Sequence, residues 1–154
     1  MISEPKTEYR NELHYVAIRS RGKQNEIPQL LPPLIPGLFN WLKLNKISPS
    51  GAPFFRYLQM DGENMEVEVG IPVDKQINGF ENIQPGSFPA GKYLEVTYTG
   101  PYSNLPLVHS ELAEWKKKNN MKVKNGVTEF YPTDPDAEPD SRKWKTIIMT
   151  QVED

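Results

Sequence analysis

Three segments of this chain recur in the same order about half a chain apart, and no other feature restricts its fold so sharply. His14-Tyr15-Val16-Ala17-Ile18, running on to Gly22, parallels Lys92-Tyr93-Leu94-Glu95-Val96, running on to Gly100, at an offset of 78. Gly51-Ala52-Pro53-Phe54-Phe55 parallels Gly126-Val127-Thr128-Glu129-Phe130 at an offset of 75. Val67, Val69, Ile71 and Val73 parallel Thr146, Ile148, Thr150 and Val152 at an offset of 79. One alternating strand resembles another by chance, so the weight lies in the shared order. Offsets that wander by a few residues are what loops of unequal length between two copies produce.

Each copy carries a helical stretch after its first strand. Leu105, Val108, Leu112 and Trp115 form an amphipathic stripe, with Ser110, Glu111, Glu114 and Lys117 elsewhere on the surface. Ser103 or Asn104 suits its start, Pro106 a first turn, and Asn119-Asn120 its end. Leu31, Ile35, Leu38 and Leu42 repeat the spacing in the first copy, where prolines restrict the helix to about 33–45 with Pro36 in its first turn. Alternation predicts strands at about 12–19, 54–59 and 65–73, then 92–98, 127–131 and 145–152. Asp61-Gly62 marks a tight hairpin, whereas the corresponding loop at 132–143 is long, acidic and proline-rich. The expectation is one α+β domain over 1–154: a tandem duplication of a β-α-β-β unit, with antiparallel strands and helices on one face. The first copy spans about 12–74, a connector without periodicity about 75–90, and the second copy about 91–153. The face away from the helices needs a cover, which the pattern alone does not identify.

Composition removes several classes of function. A formal charge of −2 leaves no basic footprint for direct nucleic-acid binding, and the run Lys116-Lys117-Lys118 reads as a solvated helix end. With no cysteine, disulfides, thiolate metal sites and cysteine nucleophiles are excluded. His14 and His109 lie far apart in sequence and no loop has calcium-binding spacing, so neither a metal nor a cofactor is expected. No segment has the length of a membrane span and the first ten residues are polar, so the expected location is the cytoplasm.

Glu129 stands out among the remaining residues. Alternation places it with Val127 and Tyr131 on one face of a short strand, and the repeat gives it Phe54 as counterpart, so a carboxylate breaks the symmetry. Buried, it needs a hydrogen bond, a cation or a raised pKa, and a hydrophobic cation among aromatic faces would serve. Exposed, it is merely hydrated, and both readings stand. Phe54, Phe55, Tyr57, Tyr93, Tyr98, Tyr102, Tyr131, Trp41 and Trp115 are core or pocket wall, the tyrosines needing a polar partner if buried. His109, Ser110 and Glu111 are helix neighbours that do not face one another, which removes a serine triad. Acid–base work would need Glu129 close to a second carboxylate such as Glu68 or Glu95.

Phe88-Pro89-Ala90-Gly91-Lys92-Tyr93 followed by Tyr98-Thr99-Gly100-Pro101-Tyr102 resembles the GyrI-like family, the effector-binding domains that also follow the DNA-binding parts of AraC- and MerR-type regulators. Leu112 and Trp115, Glu129-Phe130-Tyr131 with Asp134-Pro135, and Trp144-Lys145-Thr146-Ile147 extend the resemblance, as do Glu68-Val69-Gly70-Ile71-Pro72-Val73 and Gly51-Ala52-Pro53-Phe54 with Tyr57. The resemblance implies a cleft between the copies that captures an apolar, cationic, aromatic small molecule. Glu129 would be its charge partner, with Tyr57, Phe55, Tyr131, Trp41 and Tyr102 as walls. Two alternatives come with it: a hydrolase of strained cyclopropane-bearing toxins using Glu129, or a protein that engages gyrase or a separate regulator. No helix-turn-helix fits ahead of the first strand, so a standalone domain is expected. The prolines that open the first helix depart from the family pattern.

Overall fold

Alternating apolar residues form most of the strands here because one face packs against a helix and the other meets the coiled sheet itself. The structure is a computed structural model that describes residues 1–124 and 126–153. In chain order the strands are β1 (Lys6–Arg10), β2 (Leu13–Lys23), β3 (Phe54–Asp61), β4 (Asn64–Pro72), β5 (Ile83–Phe88), β6 (Gly91–Thr99), β7 (Val127–Phe130) and β8 (Lys145–Gln151). The helices are α1 (Ile27–Leu30), α2 (Leu34–Leu44) and α3 (Leu105–Lys118), with a short 3-10 turn at Tyr102–Asn104 ahead of α3. All described strands join one antiparallel sheet in the order β1-β6-β8-β7-β3-β4-β2-β5. The duplicated β-α-β-β units are therefore β2-α2-β3-β4 and β6-α3-β7-β8, and β3 pairs with β7 to fuse them.

Both long helices lie on one face. Leu38 and Leu42 of α2 pack on Val16 and Ile71, and Leu105, Val108 and Leu112 of α3 on Leu94, Val96 and Ile148. Pro36 falls in the first turn of α2, where its missing N–H has no intrahelical partner to lose. The two helices end alike: Asn45 and Asn119 each donate Nδ2 to a carbonyl one turn back, Trp41 and Trp115, at 2.8 Å. Lys46 and Asn120 follow in the left-handed region, φ 58° and 50°.

The opposite face is covered by the sheet itself. β5 ends at Phe88 and β6 begins at Gly91, yet these strands stand six places apart in the sheet order. Six strand spacings in a flat sheet come to about 29 Å, whereas three peptide units reach about 11 Å. The sheet has to coil until its distant strands approach, and Phe88 of β5 meets Phe130 of β7 with ring centroids 5.8 Å apart. Tyr15, Phe54 and Tyr93 complete this second core. The ring of Phe54 occupies the space above Gly70 on the neighbouring strand, where a Cβ would lie 2.4 Å from it.

Besides the one-turn α1, two strands differ from the sequence expectation. The connector at 75–90 contains β5, an edge strand that tolerates Pro85 and Gly86 because only one side of it must pair. The polar start of the chain contributes β1 on the other edge, fully exposed and so without an alternating signal.

Strand pairing also fixes the repeat. Tyr15 faces Pro72 and Tyr93 faces Gln151, in keeping with offsets of 78 and 79. Gly70 and Met149, related by 79, face Phe54 and Thr128, so the middle strands are related by 74 and not by 75. The counterpart of Glu129 is Phe55, not Phe54. A slip of one residue inverts the facing of a whole strand. Phe55 and Glu129 are also directly opposite each other in the β3–β7 pair. Two residues that are both counterparts and cross-strand partners sit on the pseudo-two-fold axis.

Candidate functional site

The helix-facing side of the β3–β7 junction forms the floor of an open cleft of about 1690 Å³. Ile35 and Phe39 of α2 form one wall, Leu105 and His109 of α3 the other, with Tyr102 and Tyr131 near one end. The volume exceeds the roughly 300–1,000 Å³ of ordinary small-molecule pockets.

Glu129 lies at the centre of the floor with 4% of its surface exposed. Tyr131 donates its hydroxyl to Oε1 at 2.5 Å, and Tyr57 donates to the same oxygen at 3.2 Å. Nε2 of His109 lies 2.5 Å from Oε2. Burial, reinforced by the adjacent carboxylate, pushes both phenols well above the ordinary tyrosine range, so they remain donors. Tyr57 and Tyr131 are counterparts at the same offset of 74, so the two halves each extend one hydroxyl to the carboxylate on the axis. A neutral imidazole donating N–H leaves the cluster with one negative charge, and a protonated one cancels it.

Five of the six candidate residues come together here. Glu129, Tyr57, Phe55, Tyr131 and Tyr102 all border the cleft. Phe55 and Tyr131 make an edge-to-face contact at 5.1 Å, and Tyr102 stands 5.5 Å from Tyr131 and 4.7 Å from Trp144. Trp41 does not join them. It lies two residues past Phe39, about 200° around the helix, and packs beside Val16 and Leu38 over a separate hollow shared with Ile77 and Phe80. The carboxylates considered as partners for acid–base work are also elsewhere. Glu68 accepts from Tyr15 at 2.7 Å on the opposite face, and Glu95 is ion-paired with Arg10 of the edge strand.

His109 is the residue that the sequence reading passed over, having been weighed only against its chain neighbours Ser110 and Glu111. With the offset at 74 its counterpart is Ile35, so an apolar residue becomes a histidine one helix above the place where Phe55 becomes Glu129. Two paired breaks of the repeat facing each other were the available signal.

Residues 3–153 match the family model described as the GyrI-like small molecule binding domain, and the chain belongs to that family. No curated protein sequence matches it. Among solved structures, the C-terminal domain of EcmrR superposes with a TM-score of 0.81 at 23% identity, covering 97% of each chain. Against EcmrR in its complex with DNA the score is also 0.81, at 22% identity over 97% of this chain, which spans only 57% of the EcmrR chain. SAV2435 bound to tetraphenylphosphonium gives 0.71 at 12% identity, over 98% of this chain and 94% of the other. A hydrolase from Listeria innocua gives 0.60 at 12% identity, over 97% and 92%. At such identities the likeness is one of fold.

Proposed function

We propose that this GyrI-like domain captures an apolar, cationic, aromatic small molecule, with Glu129 as charge partner and Phe55, Tyr57, Tyr102 and Tyr131 as the surrounding rings. One observation carries the reading: a carboxylate buried to 4% exposure on the floor of a cleft walled by rings. A lipophilic cation loses little hydration on entering such a site and gains the carboxylate together with ring faces worth about 0.5–2 kcal/mol per good contact. That a fold neighbour is bound to tetraphenylphosphonium, a cation enclosed by phenyl groups, supports the choice of ligand class.

The test is calorimetric titration of tetraphenylphosphonium and of neutral triphenylphosphine oxide into wild type and Glu129→Gln. The glutamine keeps an acceptor for Tyr131 while removing the charge. The expected result is a loss of about ten- to a hundredfold for the cation, about 1.4–2.8 kcal/mol, with the neutral compound little affected. Equal weakening of both would sink the reading.

A second reading has its own observation. A half-exposed imidazole held by a buried carboxylate, with Tyr131 on that carboxylate's other oxygen, is an arrangement that can move protons. It supports hydrolysis of a reactive small molecule, with His109 rather than a second carboxylate beside Glu129. Catalytic turnover of a cyclopropane-bearing compound, abolished in His109→Gln, would favour it over stoichiometric capture.

A further inference from the structure

Leu42 of α2 and Ile71 of β4, each 1% exposed, belong to the same core cluster of the first copy. Their counterparts, at offsets of 74 and 79, are Lys116 of α3 and Thr150 of β8. Both border the cleft, as does Lys124. Thr150 is buried and its hydroxyl has no hydrogen-bond partner. Among the described residues no carboxylate pairs with Lys116, whose ammonium loss of water alone holds below the ordinary lysine range. A lysine and an unsatisfied threonine where the other copy has leucine and isoleucine weaken the core and return nothing to the fold.

Their placement relative to Glu129 follows from the elements. Lys116 lies seven residues beyond His109 on α3, two turns along the same face and about 10 Å away. Thr150 lies one step past the Thr128–Met149 pair, beside Val127, and so about 7 Å along the strand from Glu129. The Thr150 hydroxyl is sealed from solvent as it stands, so meeting a ligand requires a turn about χ1. One cleft thus holds a carboxylate at its centre and a pair of lysines with a spare donor at one end.

We propose that Lys116 and Thr150 form a second subsite, which takes a carboxylate or similar anionic acceptor on the same ligand whose cationic part sits at Glu129. The ligand class is then an amphoteric aromatic compound with its two charges well separated. This rests on the reading of Glu129 given above.

The experiment uses a matched pair of dyes, rhodamine 19 with a free carboxylate and rhodamine 6G, its ethyl ester, titrated by fluorescence anisotropy. Lys116→Gln is expected to weaken the acid about tenfold and leave the ester within about twofold. Lys116→Arg keeps most of the acid's affinity, and Thr150→Val weakens the acid about threefold. Glu129→Gln weakens both dyes. An acid-to-ester ratio that Lys116→Gln leaves unchanged, whether both dyes hold or both decline, overturns the subsite while the Glu129 reading stands. Failure of wild type to bind the ester, or indifference of the ester to Glu129→Gln, overturns the Glu129 reading and the subsite with it.

Discussion

The two halves of this molecule share a backbone plan and differ in what they bring to the cleft. Ile35, Phe55, Leu42 and Ile71 of the first half answer to His109, Glu129, Lys116 and Thr150 of the second. In the first set Leu42 and Ile71 are packed as hydrophobic core, while Phe55 and Ile35 join a neighbouring apolar cluster that also borders the cleft. The second set supplies a coupled carboxylate and imidazole, an ammonium with no carboxylate partner among the described residues and an unsatisfied hydroxyl. Positions that are apolar in one copy are polar or charged in the other. A repeated fold permits this because each half needs only enough apolar contact to hold its own helix on its own strands.

The strongest way to break the contrast is to make the halves alike at the axis. Phe55→Glu would set two carboxylates directly opposite each other with a single imidazole between the copies, and a buried charge without a partner costs about 3–5 kcal/mol. Urea unfolding should register a loss of that size, and a loss below about 1 kcal/mol would mean the floor is wetter than its 4% exposure states. Next in size is the matched truncation of Leu42 and Lys116. Leu42→Ala is expected to cost about 2–5 kcal/mol, and Lys116→Ala less than about 1 kcal/mol. Similar costs would show that the second half also depends on this position for packing.

Removing the imidazole probes the coupled pair. His109 faces the same carboxylate oxygen of Glu129 that a bound cation would approach, so His109→Ala should change the affinity for tetraphenylphosphonium several-fold in calorimetric titration, and an unchanged affinity would remove the coupling. The smallest expected effect is on stability: Thr150→Val, which removes an unsatisfied hydroxyl at constant shape, should raise the unfolding free energy by up to about 1 kcal/mol, read from the urea midpoint.

Much of this was legible in the sequence, for identifiable reasons. Strands buried on the helix side alternate strongly, so six of them and both long helices could be placed. β1 escaped because every residue of it is exposed, and β5 because Pro85 and Gly86 interrupt a strand that only the sheet's coil requires. Glu129 could be found as a break in the repeat, but its counterpart could not, because Phe54 and Phe55 offer the same side chain to either register and only cross-strand pairing decides. Trp41 was assigned by residue type, whereas its position on the helix turns it away. His109 was missed because its partner lies 20 residues on in another element.

The unbroken β3–β7 ladder governs how this cleft can adapt. Binding proteins whose halves meet through a hinge can close over a ligand, but here the halves are stitched by backbone hydrogen bonds directly beneath the site. Adjustment must come from the walls, and at the approach to α2 Pro32, Pro33 and Pro36 have no backbone N–H to hold the chain in place. Ligands of unequal girth should therefore shift that shoulder and leave the carboxylate where it stands.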